Sequence, residues 1–166
     1  TTSGDLDTTF NTTGFVIDDF TPQPDKIKGG GEDVGMAVQV QNDGKIVMGG
    51  YSVAANTNAN PLARRGKADG IIRRYNADGT IDTTFNATGL TPGTLKASVV
   101  GETVYTTLSI QYDGKIVAGG YTESSQGEAP AAIRLLPDGT FDNSFGVKGR
   151  TFFKVDQHTV TALASP

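Results

Sequence analysis

The stretch Gln41-Asn42-Asp43-Gly44-Lys45-Ile46-Val47-Met48-Gly49-Gly50-Tyr51 returns as Gln111-Tyr112-Asp113-Gly114-Lys115-Ile116-Val117-Ala118-Gly119-Gly120-Tyr121. A second phrase, Asp78-Gly79-Thr80-Ile81-Asp82-Thr83-Thr84-Phe85, returns as Asp138-Gly139-Thr140-Phe141-Asp142-Asn143-Ser144-Phe145, with a shortened copy at Gly4-Asp5-Leu6-Asp7-Thr8-Thr9-Phe10. Repetition of this kind constrains the fold more than any other feature of the chain. Each unit is too small to bury its apolar face alone and must stack on a neighbour.

Local chemistry identifies the units as β-structure. Asp43-Gly44 and Asp113-Gly114 lie between alternating apolar segments, a pattern that predicts hairpins with type I′ turns. On the first strand of each hairpin, Val34, Met36, Val38 and Val40, and in the copy Val104, Thr106, Leu108 and Ile110, are expected to face the core. The Gly-Gly pair of the second strand is expected to let a neighbouring strand or sheet approach closely. A polar loop follows, long in the first unit (54–69) and short in the second (123–129). A third strand is expected at 71–76 and 131–136, then an Asp-Gly turn. A fourth extended piece is expected from Gly14-Phe15-Val16-Ile17, Gly89-Leu90-Thr91 and Gly149-Arg150-Thr151-Phe152-Phe153. The abundance of glycine, 22 of 166 residues, and a charged share of only 19% fit many short strands joined by tight turns.

The expected fold is all-β, with four-stranded antiparallel units like propeller blades and a stacked β-solenoid as the competing geometry. The chain divides into a partial unit at 1–18, unit one at 33–90, unit two at 103–153 and a partial unit at 158–166. Counted this way, one chain holds too few strands to close a propeller. The edges Phe15, Val16 and Ile17 at one end, and Val160, Ala162 and Ala164 at the other, are expected to be covered by something else, a second copy first of all.

The two phrases, in this order, resemble the delta-60 repeat, a bacterial family whose units pair a Gln-x-Asp-Gly-Lys-Ile-Val-x-Gly-Gly phrase with an Arg-x-x-Pro-Asp-Gly-Thr-x-Asp-x-x-Phe-Gly phrase. The resemblance is carried by 41–50, 74–85, 111–120 and 134–146, with a partial match at 6–10. It implies a propeller-like fold on a secreted or cell-surface protein, and it brings no catalytic residues with it.

Composition excludes several functions. A net charge of -4 gives no basic stripe for a nucleic acid, and Arg64-Arg65 and Arg73-Arg74 read as a solvated loop and a strand edge. There is no cysteine, hence no disulfide, thiolate metal site or cysteine nucleophile. No apolar run is long enough to cross a bilayer. The chain opens without a Met or a basic and apolar leader, read as export with the signal peptide removed. His158 is the single histidine, so a Ser-His-Asp or multi-histidine site cannot be assembled within one chain.

Asp78, Asp82, Asp138 and Asp142 recur beside Gly turns, where oxygen ligands can hold calcium, with Asn76 as a further ligand. The same recurrence arises when an Asp caps its own turn. Asn11-Thr12-Thr13 and Asn86-Ala87-Thr88 are sequons at equivalent repeat positions. Tyr51 and Tyr121, with Tyr75 and Phe153, are aromatic platforms for a glycan or packing residues between units. The expected function is a non-catalytic extracellular structural or surface protein that assembles with itself, as filament or ring, by completing split units. The alternative is a carbohydrate-binding or adhesive module. No cofactor is expected beyond possible calcium.

Overall fold

The computed structural model describes residues 2–20, 31–53, 67–124 and 127–153. Both Asp-Gly phrases turn hairpins, with a different turn from the one expected. Gly44 is the only residue of its loop with positive φ (82°). Its N–H donates to Gln41 O at 2.9 Å, and the Gln41 N–H donates to Lys45 O at 2.7 Å. This is a type I turn closed by a left-handed glycine, and the 111–115 loop repeats it. Asp43 keeps negative φ and instead uses Oδ1 to accept the Lys45 N–H at 3.1 Å. The type I′ expectation is therefore corrected: one glycine, with an Asp cap before it, suffices for the reversal.

Each unit is an antiparallel meander. Strands β1 (Glu32–Val40), β2 (Ile46–Val53), β3 (Ala68–Tyr75) and β4 (Thr94–Lys96) form the first sheet in that order. Strands β5 (Glu102–Ile110), β6 (Ile116–Ser124), β7 (Gly127–Leu135) and β8 (Arg150–Phe152) form the second. The second unit's expected polar loop is a tight hairpin instead, since β6 runs to Ser124 and β7 begins at Gly127. The fourth strand of unit one begins at Thr94, not at Gly89. Gly93, Gly149 and Gly14 are the true equivalents, each donating its N–H to the carbonyl of the Phe of its repeat (Phe85, Phe145, Phe10) and each with φ near 85°. Four extra residues in unit one push Leu90 out into solvent.

A β-bulge in the first strand of each sheet breaks the expected alternation. Gly35 pairs with Gly50 and Ala37 with Gly49, so Met36 is the extra residue; Thr106 is its copy. Beyond a bulge the side chains change face. In the second sheet this turns Tyr105, Leu108 and Ile110 to one face, where Tyr105 and Leu108 are buried. In the first sheet Met36, Val38 and Val40 are all exposed, Val38 at 61%. The bulge also explains Gly50 and Gly120. A Cβ on either would lie 1.9 Å from the Val34 or Val104 carbonyl oxygen. As expected of the pair, Gly49 instead admits the other sheet, its added Cβ meeting Leu108 at 3.1 Å.

The sheets stack face to face. Val47, Ile72 and Leu95 of the first pack with Tyr105, Leu108, Ile116, Ala118, Ile133 and Leu135 of the second, and Phe85 completes the core. Each Val, Leu, Ile or Phe side chain among them contributes roughly 1.5–3 kcal/mol when fully removed from water. The stack thus uses the far face of blade one and the near face of blade two.

Candidate functional site

The second repeated phrase builds a socket at the end of the third strand in each unit. In unit one, Asp82 Oδ1 accepts the N–H (3.1 Å) and hydroxyl (2.6 Å) of Thr84, which fixes the turn. Its Oδ2 takes Arg74 Nε at 2.7 Å and Lys45 Nζ at 2.9 Å. Arg74 lies over the Phe85 ring, 4.7 Å from its centre. Burial opposes ionisation of Asp82, but the Thr84 and Lys45 hydrogen bonds outweigh it and, with Arg74, hold the carboxyl well below the usual range.

The next blade closes this socket. Arg74 donates to Pro137 O at 2.6 Å, and the Asn86 N–H donates to Asp138 O at 2.7 Å. The Phe85 ring sits against Gly139, where an added Cβ would meet it at 2.6 Å. Phe85 is fully buried and Arg74 is 6% exposed. Arg73 and Arg74 do not lie at the strand edge expected from sequence: β3 is an inner strand, both are buried on its opposite faces, and each has a carboxylate. Charge alternation in the sequence could not reveal this, because Asp18 and Asp82 reach the two arginines from different parts of the chain.

Unit two builds the same socket, and among the described residues no neighbouring turn closes it. Arg134 Nε holds Asp142 Oδ2 at 2.8 Å and lies 4.9 Å from the Phe145 ring centre. In place of a neighbouring carbonyl, Arg134 reaches Ser144 Oγ at 3.1 Å. Phe145 is half-buried. The Ser144 hydroxyl and N–H, aided by Arg134, hold Asp142 down to about 2.

The shortened copy in the N-terminal segment docks in the same way. The Asn11 N–H donates to Asp78 O at 2.7 Å, and the Phe10 ring lies against Gly79. The rule is common to both junctions: the Phe-Asn tail of one unit caps the Asp-Gly turn of the next. The sequon asparagines are part of it, Asn11 Nδ2 donating to Phe15 O at 2.9 Å and Asn86 Nδ2 to Thr94 O at 2.7 Å.

The Asp residues proposed as calcium ligands serve the turns. Asp78 and Asp138 each use Oδ1 to accept the N–H and hydroxyl of Thr80 or Thr140, and these bonds lower both carboxyls. Asn76 Oδ1 accepts Lys45 Nζ at 3.1 Å. Among the described residues no three or more His, Cys, Asp or Glu converge as a metal site would require. At Asp82 the charge that a cation would balance is already met by Arg74 and Lys45.

Tyr51 is half-buried, packs with Val53, Ala68 and Val104, and directs its hydroxyl to Glu32. Tyr75 is buried and donates to Asp18, so it is no platform. Tyr121 and Phe153 are exposed. Phe15 and Ile17 are also exposed, Ile17 at 84%, and residues 15–17 form no strand. Val160, Ala162, Ala164 and His158 lie outside the described residues, as do Arg64 and Arg65. No helix among the described residues is long and apolar enough to cross a membrane.

Residues 41–85 and 111–145 match the model of a family described as a domain of unknown function (DUF5122) β-propeller. The repeats are of β-propeller type. The matched stretches run in each unit from the Gln of the Asp-Gly hairpin to the Phe of the socket, so they hold both phrases and the second and third strands. No curated protein and no solved structure matches the chain.

Proposed function

We propose that the chain is a non-catalytic structural repeat protein of the bacterial surface, of the delta-60 type, that joins copies of itself head to tail through the two blade faces against which no other blade packs among the described residues. The observation that carries this reading is the pair of sockets. Arg74–Phe85 is closed by the Asp138-Gly139 turn, while its copy Arg134–Phe145 is preformed and has no such turn against it among the described residues. The far face of blade two, with Val117, Gly119, Tyr121 and Ala132, is the copy of the face that blade one buries. Contacts of this heterologous kind give a ring if the rotation closes and a filament if it does not.

Extracellular placement is supported by the resemblance to secreted repeats and by the Thr, Asn and Gly richness of the chain. Absence of catalysis is supported by the employment of each recurring carboxylate in a turn or an ion pair. The glycan-binding alternative is less well supported, since Tyr51 packs between the blades and its copy Tyr121 is exposed on the face where a further blade belongs. Light scattering of the purified chain over a wide concentration range, followed by negative-stain imaging, tests the proposal. A ring or filament is expected, and a mass that stays monomeric at the highest concentration would overturn it.

A further inference from the structure

The near face of blade one differs from that of blade two. Where blade two presents Ile133 and Leu135 to its neighbour, blade one presents Arg73 and Tyr75 at the equivalent positions, both buried. The N-terminal segment covers them. Asp18 Oδ2 takes Arg73 at 2.8 Å and also accepts the Tyr75 hydroxyl, while the Phe20 ring lies 4.5 Å from the Arg73 guanidinium. The Phe20 N–H donates to Asp33 Oδ2 at 3.0 Å, and Phe10 and Asn11 occupy the Asp78-Gly79 turn. Segment 7–20 therefore lies where a preceding blade would sit.

We infer that segment 7–20 is a built-in competitor for the junction between copies. In the joined state Phe145-Gly146 of one copy takes the Asp78-Gly79 turn of the next, displacing Phe10-Asn11. The inference rests on the head-to-tail reading above. Three observations support a replaceable cover. Its anchor on the turn is the same Phe-led tail that blade two offers at its open socket, so the two are alternatives for one position. The side chains it covers, Arg73 and Tyr75, are polar and tolerate water when uncovered, unlike the Ile133 and Leu135 of the permanent interface. Its cover is also incomplete. Asp33 Oδ1 and Ser52 Oγ stay buried with no hydrogen-bond partner, whereas their copies in blade two, Thr103 and Thr122, bond each other at 3.1 Å.

A competitor lowers apparent affinity by the fraction of molecules in which the site is free, so releasing it strengthens association without altering the junction. The test uses full-length chains carrying Phe10→Ser, Asp18→Asn, or both. Hydrogen exchange over 7–20 reports release of the segment, and light scattering reports association. Each single variant is expected to associate at a lower concentration than the parent, the double variant at about tenfold lower or better, and a further Phe145→Ser is expected to abolish the gain. Two variants acting on separate anchors guard against a folding artefact. If the segment is released and the parent's association is unchanged, the competitor role is overturned while head-to-tail assembly stands. If neither parent nor variants associate, the assembly reading fails and this inference with it.

Discussion

Arg74–Phe85 and Arg134–Phe145 are two copies of one socket, and among the described residues only the first has a neighbouring blade against it. Their internal bonding is nearly the same, since an Asp fixes its own turn, pairs with an arginine and sets that arginine over a phenylalanine ring in both. The difference lies in burial and in one partner, the Pro137 carbonyl for Arg74 against the Ser144 hydroxyl for Arg134. The local phrase thus makes the socket and the next blade completes it. A blade of this design presents, on any face with no blade against it, a surface already shaped for another unit, which is why terminal repeats in stacked architectures need covering.

The comparison can be broken by mutation. Phe85→Ala is expected to cost about 4 kcal/mol by cavity formation, and Phe145→Ala about 1 kcal/mol because its ring is already half in water. Equal costs in urea unfolding would show that the second socket is closed too. Asp82→Ala strands the buried Arg74 and is expected to cost about 3 kcal/mol. Asp142→Ala is expected to cost distinctly less, since solvent reaches Arg134.

The two first strands sharpen the same contrast. Leu108→Ala is expected to lose about 2 kcal/mol and Val38→Ala less than about 0.5 kcal/mol, although the two are repeat equivalents. Comparable losses would mean that the near face of blade one is as dry as that of blade two.

The smallest effect concerns acid. The folded pKa of Asp142 is depressed to about 2 from 3.8, so the unfolded chain takes up the proton first. Its stabilisation is complete above the unfolded value and is lost as pH falls through about 2; that of Asp82, held lower, persists further into acid. Thermal melting is therefore expected to be flat down to about pH 5 and to decline below it. Asp142→Asn should make that decline shallower between about pH 4 and 2, leaving the share of Asp82. A melting curve unaltered by that variant would remove Asp142 from the account.

Much of the fold was legible because turns and strand alternation are local. Asp43-Gly44 declared a hairpin, and the Gly-Gly pair declared a close approach. The turn type was not legible, because Asp43 caps the backbone from negative φ as readily as a type I′ turn would use positive φ. The exposure of Met36, Val38 and Val40 was hidden by a bulge, whose mark in the sequence, the second glycine of each Gly-Gly pair, sits on the partner strand. The true start of β4 was hidden by four extra residues that mimic the Gly89 position. The site was legible only as recurrence. That Asp82 and Asp142 serve turns and ion pairs, and not a bare carboxylate cluster, required the positions of Lys45, Arg74, Lys115 and Arg134.

By itself the sequence determined the repeat, the all-β class and the chemistry of each turn, because these depend on neighbours a few residues apart. The tertiary structure decided which copy of each repeated residue is buried. Arg74 and Arg134 are the same residue in the same phrase, and only the presence of a second sheet against the first takes one of them out of water. Burial is a property of what lies across the interface, and a repeat written identically along the chain does not record which of its faces is left without a partner.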